Sequence, residues 1–407
     1  MPDGSSAAPR LLAGVRVLSF CHWLQGPAAC QYLADLGAEV VKIEPLEGAA
    51  ERRVLGPGRG PDGASSLFVS ANRNQRSVAV DLKSAAGTRV VLDLLDDYDV
   101  VIENFRPGVM ERLGLSYEQL SATRPGLVYA SATGYGSTGP MADLPGQDLL
   151  VQALTGLASA SGASPTSAGA AVADQHGAAL LAMGVLAAVI RRSTSGVGCR
   201  VEASLLNAGV DLQMEAFTFY LNRDERPWAE QLGRHARLAT WYHPAPYGIY
   251  PTLDAHVAVS LVGLPQLAQV FPELADLVAL DPVADRDRVA AALAAQLALR
   301  TLDELADAFA RAGIWFAPVL GYDEVEQHPQ IVHNGLIEEV GDGSWSGRVV
   351  KHPVRYDGEL PPVRRHPPRL GEHTGEVLAE LGYDGPRIQD LLDRGVVRAG
   401  SAHPSRT

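Results

Sequence analysis

Asp174 stands in the run Ala-Val-Ala-Asp-Gln-His-Gly, directly before the most apolar stretch of the chain. Two readings fit that position. A short carboxylate there can cap a helix by accepting its first N–H groups. The same geometry also suits a nucleophile. The helix dipole favours the anion, a reference pKa of about 3.9 keeps it charged near pH 7, and partial dehydration makes it reactive enough for covalent catalysis. His176, two residues on, is a base or simply a polar residue at a helix start.

A second cluster could hold an anion. Lys42, Arg52, Arg53, Arg73, Arg76, Arg106 and Arg112 lie near strand ends in the N-terminal half, and such a grouping suits a phosphorylated ligand. Gly134-Tyr-Gly-Ser-Thr-Gly139 has the spacing of a dinucleotide fingerprint. That motif requires a helix to open at its third glycine, but here Pro140 follows at once. It reads as a glycine-rich loop at a sheet edge. The chain has no G-x-x-x-x-G-K-[ST], H-E-x-x-H or G-x-S-x-G motif. Cys21, Cys30 and Cys199 form neither a disulfide framework nor a zinc motif, and no metal is expected.

The elements that must position these residues follow from periodicity. Strands are expected at Val15–Phe20, Glu39–Glu44, Ser77–Leu82, Asp99–Phe105 and Leu127–Thr133, with an amphipathic helix over Ala86–Tyr98. This alternation implies a parallel sheet covered on both faces, with ligands beyond the carboxyl ends of its strands. Residues Asp148–Asn222 read as three helical segments. His243–Leu261 reads as strand, turn and strand, and Pro265–Ala312 as broken helix. Gly177–Ile190 is 14 residues long, below the ~18 that span a bilayer, and reads as a buried helix. The N-terminus has no basic n-region ahead of an apolar stretch. With 407 residues, 46% hydrophobic, the chain can build two or three domains. A formal charge of −13 argues against nucleic-acid and anionic-membrane partners. A soluble cytoplasmic protein is expected.

The sequence resembles the class III coenzyme A transferases, which include the α-methylacyl-CoA racemases. The resemblance runs from Leu12 to about Val397. It is carried by Leu12-Ala-Gly-Val-Arg-Val-Leu, Gly26-Pro27, Leu33-Ala-Asp-Leu-Gly-Ala-Glu-Val-Val-Lys-Ile-Glu44 and Asn72-Arg-Asn-Gln-Arg-Ser77. Further matches are Glu103-Asn-Phe-Arg-Pro-Gly108, Gly134 to Pro140, Asp148, Ala173-Asp174 and Pro367-Pro-Arg-Leu-Gly-Glu-His-Thr374.

The resemblance implies an α/β fold. A large Rossmann-like domain, residues 1–225 and 335–407, would bind CoA. A small α+β domain would span 226–334, and two chains would interlock as a homodimer. It implies that Asp174 is the catalytic nucleophile, forming an anhydride and then a thioester with CoA. CoA and acyl-CoA would be substrates rather than resident cofactors, with a small carboxylic acid as acceptor. Asn104, Phe105 and Arg112 match positions lining the CoA site in relatives. His22, Gln25, Arg76, Gln147 and Asp148 are further candidates for that site.

The racemase branch carries a His before the residue matching Asp148, where this chain has Gln147. A neutral amide does not exchange protons near pH 7, which weakens the α-proton racemase or isomerase alternative. A non-catalytic acyl-CoA-binding protein is the third reading. The Gly-rich loop of formyl-CoA transferase is not evident between Gln231 and Leu261, and Gln75 stands where the family usually has Lys.

Overall fold

The computed structural model describes residues 10–54, 60–162, 164–223 and 237–400. It divides into two compact units. One comprises Met1–Asp148, Val172–Ala208 and Val332–Thr407; the other comprises Leu149–Ala171 and Gly209–Ile331. The expected boundary at 225/226 lies outside the described residues. Residues 149–171, expected with the large domain, group with the second unit. There the Gln213 amide reaches the Thr155 carbonyl at 3.2 Å, and Gly209 lies against Val151.

The first unit is built on a seven-stranded sheet. Its strands are β1 (Arg16–Phe20), β2 (Glu39–Glu44), β3 (Gln75–Val80), β4 (Val100–Glu103), β5 (Val128–Thr133) and β6 (Arg200–Ser204), completed by the two-residue C-terminal strand Val397–Arg398. The order is Val397–Arg398, β3, β2, β1, β4, β5, β6. All neighbours run parallel except the C-terminal strand, which pairs antiparallel with β3. The order reverses between β1 and β4, so the carboxyl ends of those two strands frame the crevice where such sheets bind ligands.

Alternation along the strands produces two cores, as expected for a sheet covered on both faces. Leu18, Phe20, Val41, Ile43 and Val101 face the helix Ala85–Leu95 and the C-terminal helices. Val17, Val40, Val100, Ile102 and Val128 face the helices Gln25–Asp35 and Val172–Ser195. The latter helix is longer than the apolar run alone suggested: its 24 residues are long and apolar enough to cross a membrane by length and composition. Ala178, Leu181, Ala182, Val185 and Ala188, at helical spacing, are nevertheless buried against the sheet.

β6 differs from expectation, since its segment reads as helical in sequence. It is a sheet edge of only five residues, in which Arg200 and Glu202 are exposed and just Val201 and Ala203 pack half-buried on the core, too short a stripe to stand out within a helical stretch.

The second unit holds a three-stranded antiparallel sheet of β7 (Gly248–Pro251), β8 (His256–Val259) and β9 (Phe316–Pro318). It packs with the helices Leu264–Val270, Arg286–Leu297 and Leu302–Ala312 around Tyr250, Phe271, Leu293 and Phe309. In the first unit, the hairpin of β10 (Ile337–Gly341) and β11 (Ser346–Val350) precedes the C-terminal tail.

The tail is tied to the sheet by the run Asn72–Ser77. Arg73 makes a two-pronged contact with Asp35, at 3.1 and 2.6 Å, and also donates to the Val350 carbonyl at 2.7 Å. The Asn74 amide donates to Asp35 at 2.7 Å, and its oxygen accepts the backbone N–H groups of Arg364 and Arg365. Arg52 binds Glu44 and the Pro368 carbonyl. Removing Arg73 leaves Asp35 buried without its cation. Arg73→Leu is expected to cost about 3–5 kcal/mol, read as a lower urea midpoint for unfolding.

Candidate functional site

Asp174 does not cap its helix. The helix begins at Val172, which places Asp174 in its first turn. The capping oxygen is Oδ1 of Asp148, which accepts the N–H of Ala173 at 2.7 Å and of Asp174 at 3.1 Å. A side chain 26 positions earlier thus fulfils the role that sequence position had offered to Asp174, and the Asp174 carboxyl is left for other work.

That carboxyl faces the start of a second helix. The backbone N–H of Gln25, first residue of Gln25–Asp35, hydrogen-bonds to it. The N-cap residue Leu24 offers no side-chain oxygen to this helix, and the acceptor at its first N–H is the Asp174 carboxyl. The two helices approach closely because residue 177 is glycine. A Cβ there would lie 2.7 Å from Nε2 of Gln25, a side chain only 5% exposed.

The ionisation of Asp174 departs from the sequence reading. Burial is the main cause and the Asp148 charge the second; together they outweigh the Gln25 N–H and raise its pKa from 3.8 to about 7. The group is a half-dehydrated carboxyl that titrates near neutrality, not a fully solvated anion. Perturbation of this kind by burial plus a specific charge marks candidate functional groups.

The loop from β1 into the Gln25 helix supplies the rest of the site. His22 is clamped to the end of β4 by Asn104, whose Oδ1 accepts the His22 N–H at 2.8 Å while its Nδ2 donates to the His22 carbonyl at 2.7 Å. The Phe105 ring lies against the His22 ring, with centroids 5.3 Å apart. Gly26 fits beneath because a Cβ would meet Cys21 Sγ at 2.6 Å. Phe105 also lines a cavity of about 240 Å³ with Glu103, Tyr129, Ser131, Thr133 and Arg200.

The structure therefore gathers His22, Gln25, Asn104, Phe105, Asp148 and Asp174 around the switch point between β1 and β4. Gln147 is exposed on the segment leading to Asp148. Arg112 is exposed at the end of the helix Val109–Arg112, against Gly108.

Arg76 sits elsewhere. It lies at the amino ends of β2 and β3, where it engages Glu39, Glu376 and Glu380. Three more of the supposed ligand cations are internal: Lys42, Arg52 and Arg73 each pair with a buried carboxylate. Only Arg53, Arg106 and Arg112 of that group are exposed. The sequence reading also missed Glu51, which faces His22 from beneath the loop; an acidic residue beside two arginines gave no signal of its depth.

Residues 12–374 match the family described as CoA-transferase family III. The chain is 33% identical to an acyl-CoA transferase of Fusarium pseudograminearum, over 97% of this chain and 90% of that one. It is 31% identical to the succinyl-CoA:glutarate CoA-transferase of Mus musculus, over 97% and 92%. A CAIB/BAIF family protein from Brucella suis superimposes with a TM-score of 0.79 at 27% identity, covering 92% of this chain and all of that one. With its sheet order, its gathered site and this near-complete match, the chain belongs to CoA-transferase family III.

Proposed function

We propose that the chain moves CoA between an acyl-CoA and a small carboxylic acid through covalent intermediates on Asp174. The observation that carries this reading is the Asp174 carboxyl itself. It is half-dehydrated, accepts the first N–H of the Gln25 helix and is relieved of capping its own helix by Asp148.

In the proposed cycle the carboxylate attacks the thioester carbonyl. The C–S bond breaks, and a mixed anhydride and the CoA thiolate result. The thiolate then attacks the aspartyl carbonyl, releasing the acyl group as its carboxylate and leaving CoA on Asp174 as a thioester. An acceptor carboxylate reverses the sequence and departs as the new acyl-CoA. No net proton is consumed, so the site needs a nucleophile and N–H donors rather than an acid–base pair. The Gln25 N–H is placed to stabilise negative charge that develops on the oxygen at Asp174. The relatives' names, acyl-CoA transferase and succinyl-CoA:glutarate CoA-transferase, agree with a carboxylic acid as acceptor. The position before Asp148 holds Gln147, a neutral amide, which disfavours exchange of an α-proton there.

The interlocked homodimer is part of the same proposal. The exposed apolar side chains Met183 and Ile190 of the Val172 helix support it, as do Met214 and Leu221 in the second unit. Sedimentation equilibrium is expected to give twice the 43.1 kDa chain mass; a monomer at micromolar concentration would refute the dimer.

The covalent step is tested by incubating the enzyme with acyl-CoA, trapping with hydroxylamine or borohydride and mapping the label by mass spectrometry. Modification is expected at Asp174 alone, with Asp174→Ala reducing turnover by about a thousandfold or more. Deuterium uptake at the acyl Cα without an acceptor, and with no labelled aspartate, would overturn the transferase reading.

The pKa of about 7 sets two further outcomes. Since the carboxylate is the nucleophile, kcat/KM is expected to rise with pH and level off above about 7, as the free enzyme loses its proton. Asp148→Asn, which removes the neighbouring charge, moves this limb to lower pH. Stability has the opposite sign. The folded state binds the Asp174 proton more tightly than the unfolded chain, so stability falls as pH rises between the ordinary value and about 7. Asp174→Asn is thus expected to melt above the wild type at pH 8, with the gap narrowing toward pH 5 in calorimetry.

A further inference from the structure

Lys42 and Glu51 are both fully buried, with Nζ 3.1 Å from Oε1. Lys42 also donates to the Cys21 carbonyl at 2.6 Å, immediately before His22. An ion pair at this depth gains little over well-packed apolar side chains. It does, however, fix which oxygen of Glu51 remains. Oε2 is buried and faces Nδ1 of His22 at 3.6 Å; that nitrogen is buried too, and neither atom has a hydrogen-bond partner within 3.5 Å. Yet 18% of the His22 side chain is exposed, so the ring turns one nitrogen inward and keeps its other side toward the ligand edge.

The rest of the ring's orientation is determined on every side. Asn104 clamps its backbone and Phe105 covers it. Burial works against ionisation of Glu51, but the Lys42 charge beside it holds it well below the usual carboxylate range. An ionised carboxylate only accepts hydrogen bonds, so a hydrogen that joins the two residues must come from the imidazole. In a neutral ring with Nδ1 protonated, Nε2 carries a lone pair.

An acceptor at this edge does not suit a phosphate or a carboxylate, which need donors. It suits the part of CoA that offers hydrogens, the amide N–H groups of the pantetheine arm. We propose that Glu51, backed by Lys42, is the positioning residue that holds His22 as its Nδ1–H tautomer and so presents Nε2 as the acceptor for a pantetheine amide N–H. The ligand in this inference rests on the CoA-transfer reading; the tautomer does not.

The test uses ring ¹⁵N–¹H correlation spectra of the resting full-length enzyme, with the His22 signals assigned by their loss in His22→Gln. The wild type is expected to carry its ring proton on Nδ1. In Glu51→Gln, Lys42 continues to occupy Oε1, the side-chain NH₂ then faces Nδ1, and the proton moves to Nε2. Two N–H groups would then oppose each other. KM for acyl-CoA is expected to rise about tenfold, as for loss of one hydrogen bond, while kcat changes much less. The double variant Glu51→Gln/His22→Gln is expected to be no worse than His22→Gln alone.

A wild-type ring protonated on Nε2, alone or together with Nδ1, would overturn the proposal, and so would a Glu51→Gln loss that persists undiminished in the His22→Gln background. If Glu51→Gln does not fold, the wild-type spectrum still decides the tautomer. Failure of the Asp174 chemistry would leave that spectrum unchanged, so the two readings fail separately.

Discussion

Asp35 is the point through which the discontinuous unit is joined. It lies at the end of the Gln25 helix, accepts two bonds from Arg73 and one from Asn74, and is almost wholly buried. Arg73 and Asn74 pass the connection on to Val350, Pro362, Arg364 and Arg365. The C-terminal tail is thereby held against β3, and its last strand completes the sheet edge. A carboxylate at this depth is tolerable only with its cation in place. The two arginines of Asn72–Ser77 are therefore spent on internal ion pairs, Arg73 with Asp35 and Arg76 with Glu39, Glu376 and Glu380.

The same economy of charge shapes the site. Two helix starts converge, one capped by Asp148 and the other, at Gln25, met by Asp174 itself. Between them lies a carboxyl for which dehydration and a neighbouring negative charge oppose one N–H donor. Neither side wins outright, and the group titrates near neutrality. Stronger solvation would lower its basicity and its nucleophilicity together; deeper burial would keep it protonated. The glycine at 177 leaves room for the Gln25 side chain between the two helices.

Much of the fold was legible because a doubly covered parallel sheet writes itself as contiguous apolar strands separated by amphipathic helices. β1 to β5 were visible for that reason. β6 was not, since a five-residue edge is too short a stripe to stand out within a helical stretch. The site was legible only where residues are close in sequence or matched a family pattern. The structure sets His22 against Asn104 and Gln25 against Asp174. Arg76 was misplaced, because strand-end proximity was counted without regard to which end, and β3 begins rather than finishes beside it. The capping role of Asp148 and the Glu51 contact with His22 are long-range pairings, and no local pattern encodes them.

The Asp148 cap has an evolutionary corollary. Its bonds to Ala173 and Asp174 pin together the two ends of the excursion 149–171. The exposed part of the excursion, 164–170, holds no helix or strand and tolerates changes of length well, since doubling a flexible loop costs only about 0.6 kcal/mol of closure entropy. The excursion is also closed within itself, by the Gln152 side chain bonding to Ala168 and Ala170. Insertions and exchanges in this stretch can thus accumulate while the reactive carboxyl keeps its place at the start of its helix.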